Sequence, residues 1–236
     1  MKKHSVCLLL LLVVVYCQTN SHAGTIIGGS NLLDYSDISK LEAWLNEGPL
    51  KLTNIFDYKS GDAKSSIDFH SSVDGKGRTF VVIRATDDNV TSDVGGYDSQ
   101  SWRSDGGFNF GYDMTGFLFN LDSSMVYRPS PNYFSGLVHA IYNPHLGPTY
   151  GAGYDLAVLE SLNTGYSYLW TYGENAGISI VSRQSYDGYN MLISNIEVFS
   201  ISNCEANIAT PEPSTMLLMG IGLAGAVFMR RRAKRS

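Results

Sequence analysis

The chain has few cysteines and histidines, and these shortages exclude several kinds of site. Only Cys7, Cys17 and Cys204 are present among 236 residues. Two of the three lie in an N-terminal segment that carries export features, so the exported part keeps one thiol and forms no internal disulfide. The five histidines include no pair at the i, i+4 spacing of a helical zinc site.

Sequence motifs for hydrolase and nucleotide chemistry are also absent. No Gly-x-Ser-x-Gly nucleophile turn, phosphate-binding glycine loop or Asp-x-Asp-x-Asp-Gly calcium loop occurs. His139 and His145 are six residues apart across a turn, and one weak hypothesis places both at the rim of a metal site. Five aspartates precede or follow Trp102 and are predicted to lie in a solvated acidic loop; they are Asp87, Asp88, Asp93, Asp98 and Asp105. We therefore expect no catalytic, cofactor or metal residues.

Basic residues are scarce over the central part of the chain. Between Gly24 and Thr210 there are 10 Lys and Arg against 21 Asp and Glu, a net charge of −11, whereas the whole chain carries −5. An acidic domain repels phosphate backbones, so a nucleic-acid partner is disfavoured.

The N-terminus has the features of a secretory signal at residues 1–23. Lys2 and Lys3 precede an apolar run from Val6 to Val15, and small residues lie at Ser21 and Ala23. The run has about half of the roughly 20 apolar residues that a membrane span needs. We expect cleavage between Ala23 and Gly24.

Residues 209–236 form a different kind of segment. Pro211-Glu212-Pro213 is followed at 214–229 by 16 residues without charge, and Arg230, Arg231 and Arg232 come next. A helix over 214–229 would be about 24 Å long, enough to cross a locally thinned bilayer. The basic cluster predicts a cytoplasmic C-terminus and an external domain.

The order of Pro-Glu-Pro, apolar glycine-containing helix and arginine cluster resembles the PEP-CTERM sorting signal of exopolysaccharide-producing Gram-negative bacteria. That resemblance implies recognition and processing near Pro-Glu-Pro by an exosortase, a membrane enzyme. The anchor would then be temporary, and the mature protein would reach the cell surface or the extracellular medium.

Residues 24–208 predict a mainly β domain with a few short helices. Ser36 is the predicted cap of a first helix that buries Ile38 and Leu41. A second helix is predicted over 63–71, with Ile67 and either His70 or Phe69 inward. Short runs rich in β-branched and aromatic residues then recur every 8 to 12 residues or so, which is typical of an antiparallel β-sandwich. The predicted strands are 79–86, 115–121, 124–128, 136–143, 155–161, 167–172, 177–182 and 191–201.

Motifs along this region resemble the TLDc domain. They are His70 to Gly77, Gly95-Gly96-Tyr97 with Trp102, Phe117-Leu118-Phe119, Gly147 to Leu156, and Ile196-Glu197-Val198-Phe199. The resemblance implies a two-sheet β-sandwich with short helices. In eukaryotes such domains protect against oxidative stress and bind the vacuolar proton pump, and no agreed catalytic residues come with the family.

Three functions stay open from the sequence. The first is a non-enzymatic interaction or protective module displayed outside the cell. The second is an exopolysaccharide-binding module, suggested by a tyrosine-rich stretch from Tyr133 to Tyr172 and by acidic loops. The third is an enzyme, either a polysaccharide hydrolase using two acids or an oxidative-stress protein.

Overall fold

The computed structural model describes residues 24–105, 109–130, 138–173, 177–185 and 191–203, together with 218, 220–222 and 230. The chain consists of two compact units, Met1–Asn203 and Cys204–Ser236. The predictions for Ala23, Cys204, the Pro-Glu-Pro motif, Arg231 and Arg232 lie outside the described residues.

The first helix, α1, spans Tyr35–Leu45 and begins two residues earlier than a cap at Ser36 would allow. The N-cap is Asp34, whose carboxylate accepts hydrogen bonds from the backbone N–H groups of Ser36 and Asp37. The Asp37 carboxylate in turn accepts from the Asp34 N–H, which completes a capping box. Ser36 is therefore inside the helix, and the prediction that it caps is wrong.

The second helix, α2, spans Ser66–Val73, three residues later than predicted. Ser65 and Asp68 form its capping box. This shift turns Ile67 outward, where it is 65% exposed, so its predicted burial is wrong. Phe69 and His70, the two alternatives for the other inward position, are both buried.

The described residues contain twelve strands, and their bounds follow here in chain order: β1 Thr25–Ile27, β2 Leu50–Lys59, β3 Thr79–Asp87, β4 Val90–Asp98, β5 Asn109–Tyr112, β6 Phe117–Asn120, β7 Met125–Tyr127, β8 Val138–Tyr142, β9 Leu146–Tyr150, β10 Leu156–Leu159, β11 Thr164–Ser167 and β12 Met191–Asn203.

These strands form one hydrogen-bonded sheet in the order β5-β8-β9-β10-β11-β12-β3-β4-β6-β7, with β2 on β12 and β1 on β2. The strands pair antiparallel except for β1 with β2. The mainly β, antiparallel prediction is thus confirmed, but the described strands are continuous rather than divided into two sheets. One core cluster nevertheless contains side chains from both ends of the strand order, such as Tyr142 of β8 with Leu118 of β6 and Tyr127 of β7.

Several predicted strands are missing or displaced. The 167–172 and 177–182 runs contain no strand beyond β11, only the single bridges Pro129 to Tyr172 and Ile178 to Ser185. In contrast, β2, β4 and β9 were not predicted, because polar residues or glycines interrupt their apolar pattern. The N-terminal half of the chain therefore contributes more strands to the sheet than the sequence indicated.

Strand β12 changes its inward face part-way along. Uninterrupted alternation along the run 191–201 predicts that Leu192 shares a face with Ile196 and Val198, but Leu192 is 59% exposed. Its register against β3 shifts between Ile193 and Asn195, which indicates a β-bulge. The extra residue reverses the alternation, so Ile193 shares a core cluster with Ile196 and Val198.

In the C-terminal unit, residues 218, 220–222 and 230 are helical. Leu218 is 74% and Ile221 63% exposed. Within the part of the chain that the structure describes, no helix has the length and apolarity needed to cross a membrane. Most of the predicted span 214–229 lies outside the described residues.

Candidate functional site

An open pocket of about 450 Å³ lies where the chain leaves β4, next to the end of α2. It is lined by Asp74, Gly75 and residues 100–105. The Trp102 indole is buried, and its Nε1 donates a hydrogen bond of 2.9 Å to the Thr79 hydroxyl. The pocket therefore has a rigid aromatic base beneath a polar loop.

Asp74 is held in this pocket by two neighbours. His70 Nδ1 lies 2.8 Å from one carboxylate oxygen, and the Ser104 hydroxyl donates to the other at 2.6 Å. His70 Nε2 faces the carbonyl oxygens of Asn143 and Leu146 at 2.9 and 3.1 Å. Both ring nitrogens thus lie within hydrogen-bond distance of oxygen atoms, which fixes the orientation of the ring beside Asp74.

Behind the pocket lies a buried cluster of Asp98, His139 and Tyr142. His139 Nε2 is 2.8 Å from the Asp98 carboxylate, and the Tyr142 hydroxyl donates to it at 3.1 Å. The Gln100 backbone N–H donates a third bond at 2.8 Å. Burial, followed by the Asp98 charge, raises the pKa of Tyr142. Arg103, at the pocket wall, lies 5.1 Å from the centre of the Tyr142 ring.

The cluster contains the acid–histidine pair of a general base, but its geometry is that of a core contact. Asp98 and His139 have no exposed side-chain surface. A Cβ on Gly111 would come within 2.5 Å of the His139 ring, so the chain leaves little free space beside it. His139 Nδ1 has no hydrogen-bond partner among the described residues, and the Tyr142 hydroxyl, 3.5 Å from Nε2, donates to the Asp98 carboxylate.

The five aspartates do not form one solvated loop, and the two-histidine rim is not observed: Asp88 and Asp105 are exposed outside the strands, but Asp87 lies in β3. Asp98 is buried in β4, and Asp93 in the same strand makes two bonds of 2.8 and 2.7 Å to Arg84. His145 is largely exposed and lies 3.4 Å from Glu160, whereas His139 is buried. Among the described residues, no group of His, Cys, Asp and Glu is arranged to hold a metal ion.

Asp155 is a structural centre that the sequence did not single out. One carboxylate oxygen accepts from the backbone N–H groups of Trp170, Thr171 and Tyr172 at 2.7, 2.6 and 2.7 Å. Burial outweighs these bonds and raises the pKa of Asp155 to about 6. Gly151, at φ +78°, lies against the carboxylate, where a Cβ would overlap it. This contact explains one glycine of the Gly147 to Leu156 motif.

Glu197 has a similar role on the other side of the sheet. It is 2% exposed and accepts bonds from the Ser30 hydroxyl at 2.5 Å and the Asn31 N–H at 2.7 Å. These bonds tie the segment before α1 to β12. A carboxylate in an otherwise apolar strand motif is the sequence signal that would have identified it.

An aromatic stripe lies on the outer side of the tyrosine-rich region. We use this name for Tyr154, Tyr166, Tyr168 and Trp170. Along the chain, the last three alternate with buried residues, and Trp170 is 42% exposed. The Tyr168 and Trp170 rings are 6.2 Å apart and 18° from parallel, and Tyr154 lies 6.3 Å from Tyr166.

The fold is a mainly antiparallel β domain with short helices, and its motif residues chiefly build the core and anchor loops. A family model of the TLDc domain matches residues 26–202, and the chain belongs to that family. The model of the PEP-CTERM protein-sorting motif matches residues 209–232. Both resemblances seen in the sequence are thereby confirmed. A comparison with curated proteins gave no significant match.

Proposed function

We propose that this chain is an exported, exosortase-sorted TLDc protein whose domain is a non-enzymatic interaction or protective module at the cell surface or in the extracellular matrix. The observation that carries the proposal is the succession of a TLDc match at 26–202 and a sorting-motif match at 209–232. The buried Asp98, His139, Asp155 and Glu197 support a non-enzymatic role, because their contacts hold the fold together.

The proposed route has three steps. A signal peptide of residues 1–23 directs export and is removed between Ala23 and Gly24. A transmembrane helix at 214–229 then holds the protein in the inner membrane, with Arg230 to Arg232 in the cytoplasm. An exosortase finally cuts near Pro211-Glu212-Pro213 and releases the domain from this anchor.

Intact mass spectrometry of the protein from membranes and from culture medium tests this route. We expect a species that begins near Gly24 and ends near Pro-Glu-Pro. A single species in both fractions that retains Ser236 would contradict sorting and indicate a permanent anchor. A species that retains Met1 would contradict signal cleavage.

Exopolysaccharide binding is a second candidate, and the aromatic stripe favours it. Side-by-side aromatic rings present apolar faces with polar hydroxyl and indole groups at their edges. Such a surface matches a sugar chain, whose rings have apolar C–H faces and polar rims. The net charge of −11 between Gly24 and Thr210 makes a neutral or cationic polysaccharide the better match.

Titration with the producer's own polysaccharide tests this candidate. Trp170→Ala should weaken binding at least tenfold, whereas Tyr35→Ala should not, since Tyr35 is an aromatic residue 77% exposed on α1. Absence of binding by the unaltered protein in both Ca²⁺ and EDTA would exclude this function.

A further inference from the structure

Gly24, the residue that would begin the mature chain, occupies a buried position. It immediately precedes β1, whose Thr25 pairs with Lys51 of β2. Its surroundings come from α1 and the start of β2. The start of the proposed mature protein is therefore part of the folded domain and is not a free tail.

The space around Gly24 admits no side chain. A Cβ at this position would overlap the Glu42 Oε1 atom and come within 2.7 Å of the Ile38 side chain and 2.9 Å of the Leu50 carbonyl oxygen. Since the backbone nitrogen and a Cβ share the same Cα, the Gly24 nitrogen lies within about 5 Å of the Glu42 oxygen.

Glu42 occupies an unfavourable electrostatic position. It lies in the last turn of α1, which contains no basic residue, and there the helix dipole disfavours negative charge. Its carboxylate accepts a 2.8 Å bond from the Leu50 N–H. The nearby basic side chains have other partners: Arg128 donates to the Trp44 carbonyl, and Arg78 pairs with Glu47. Among the described residues, the ion pairs seen do not include Glu42.

We propose that Glu42 is a binding site for the α-ammonium group that signal cleavage creates on Gly24. The inference rests on the cleavage proposed above. Hydrolysis of the Ala23–Gly24 bond by water gives an Ala23 carboxylate and a Gly24 amine, which takes up a proton. At neutral pH a free α-amino group is mostly charged, whereas the amide nitrogen of the precursor is neutral.

Cleavage thus supplies the cation that Glu42 lacks in the precursor. An opposite charge at this range stabilises a partly desolvated carboxylate. The exported domain gains stability only after the signal is removed, so the precursor is easier to keep unfolded during export. A glycine at position 24 suits this pairing for two reasons. It leaves room for the Glu42 carboxylate, and it places the new terminus beside that carboxylate.

The test uses the chain from Gly24 to Ser236 in detergent, made behind a leader that a protease removes without leaving extra residues. Thermal unfolding is measured before and after removal. We expect the unfolding midpoint to rise by about 2 to 4 °C, the shift that a gain of 1 kcal/mol gives in a domain of this size. In Glu42→Gln, which keeps an acceptor for the Leu50 N–H, leader removal should change the midpoint by less than about 1 °C.

A second control places one extra glycine before Gly24, which keeps the terminal charge but moves it by one residue, about 3.8 Å. This chain should show little of the gain. An equal gain in the wild type, Glu42→Gln and the extended chain would overturn the inference, as would no gain in the wild type. Mass spectrometry of the native protein decides separately whether cleavage occurs at Ala23, so failure of the pair and failure of the proposed processing are distinguishable.

Discussion

Single buried carboxylates hold loops onto this sheet by accepting several hydrogen bonds each. Asp155 accepts from three consecutive backbone N–H groups, Glu197 from the Ser30 and Asn31 segment, and Asp98 from Gln100 and two side chains. The charge pattern alone assigned Asp98 to a solvated loop. The burial of these carboxylates depends on partners far away in sequence, such as Asp98 and His139, which are 41 positions apart, and local sequence does not reveal them.

Asp155 makes the stability of the domain depend on pH. Burial raises the pKa of its carboxyl to about 6, above the ordinary value of 3.8, so the folded state binds the proton more tightly than the unfolded state. Its stabilising contribution is complete below about pH 4 and is lost as the pH rises through 6. We expect the free energy of unfolding of wild type, relative to Asp155→Asn, to fall by about 3 kcal/mol across this range.

Urea unfolding of both proteins from pH 4 to pH 8 measures this difference. The amide oxygen of Asn keeps an acceptor for the three N–H groups, so Asp155→Asn should stay folded throughout. Asp155→Ala removes that acceptor and should lose more than about 2 kcal/mol at every pH. A pH-independent difference between wild type and Asp155→Asn would contradict the raised pKa.

The ion pairs of two acidic residues in β4, Asp98 and Asp93, should contribute different amounts to stability, because the two pairs are buried to different extents. Asp98→Ala leaves His139, Tyr142 and the Gln100 N–H without their acceptor, and we expect a loss of about 3 kcal/mol or more. Arg84→Ala breaks the two bonds to Asp93, but the Arg84 side chain is 41% exposed, and we expect a loss of at most about 1 kcal/mol. Guanidinium unfolding compares them; equal losses would show that the Asp98 cluster is not a structural centre.

At the level of elements, the hydrophobic pattern identified strands that are rich in β-branched and aromatic residues. The run 79–86 coincides with most of β3, and 191–201 with most of β12. The pattern failed where glycine replaces a side chain: Gly95 and Gly96 occupy the middle of β4, and a Cβ on Gly96 would come within 2.6 Å of the Tyr150 ring. Those glycines permit close packing that only the folded sheet explains.

The β-bulge in β12 predicts that polar substitutions at two adjacent apolar positions have very different effects on stability. Leu192 is 59% and Ile193 3% exposed. Leu192→Ser should therefore change the free energy of unfolding by less than about 0.5 kcal/mol, whereas Ile193→Ser should lose about 3 kcal/mol or more. Denaturant unfolding measures both. The reverse order would mean that uninterrupted alternation, which places Leu192 inside, describes this strand.

For the whole molecule, sequence motifs defined the family and the sorting tail better than they defined the sheet. The TLDc motifs and the Pro-Glu-Pro tail are local in sequence, so they were recognisable without the fold. The pocket beside Trp102 and the Asp98 cluster were not predicted, because they join residues of α2, β4 and β8. Function is therefore better supported at the level of export and sorting than at the level of a ligand.

We expect sorting to depend on the Pro-Glu-Pro motif rather than on the apolar segment and basic cluster that any tail anchor shares. Pro211→Ala with Pro213→Ala leaves the uncharged run 214–229 and Arg230 to Arg232 intact. Membrane insertion should persist, but the exosortase should no longer cut, so the protein should accumulate in membranes with Ser236 still attached. Intact mass of the membrane fraction checks this, with Thr215→Ala as the matched control that should be processed normally. Normal processing of the double variant would show that an ordinary tail anchor, cut by a different enzyme, accounts for the tail.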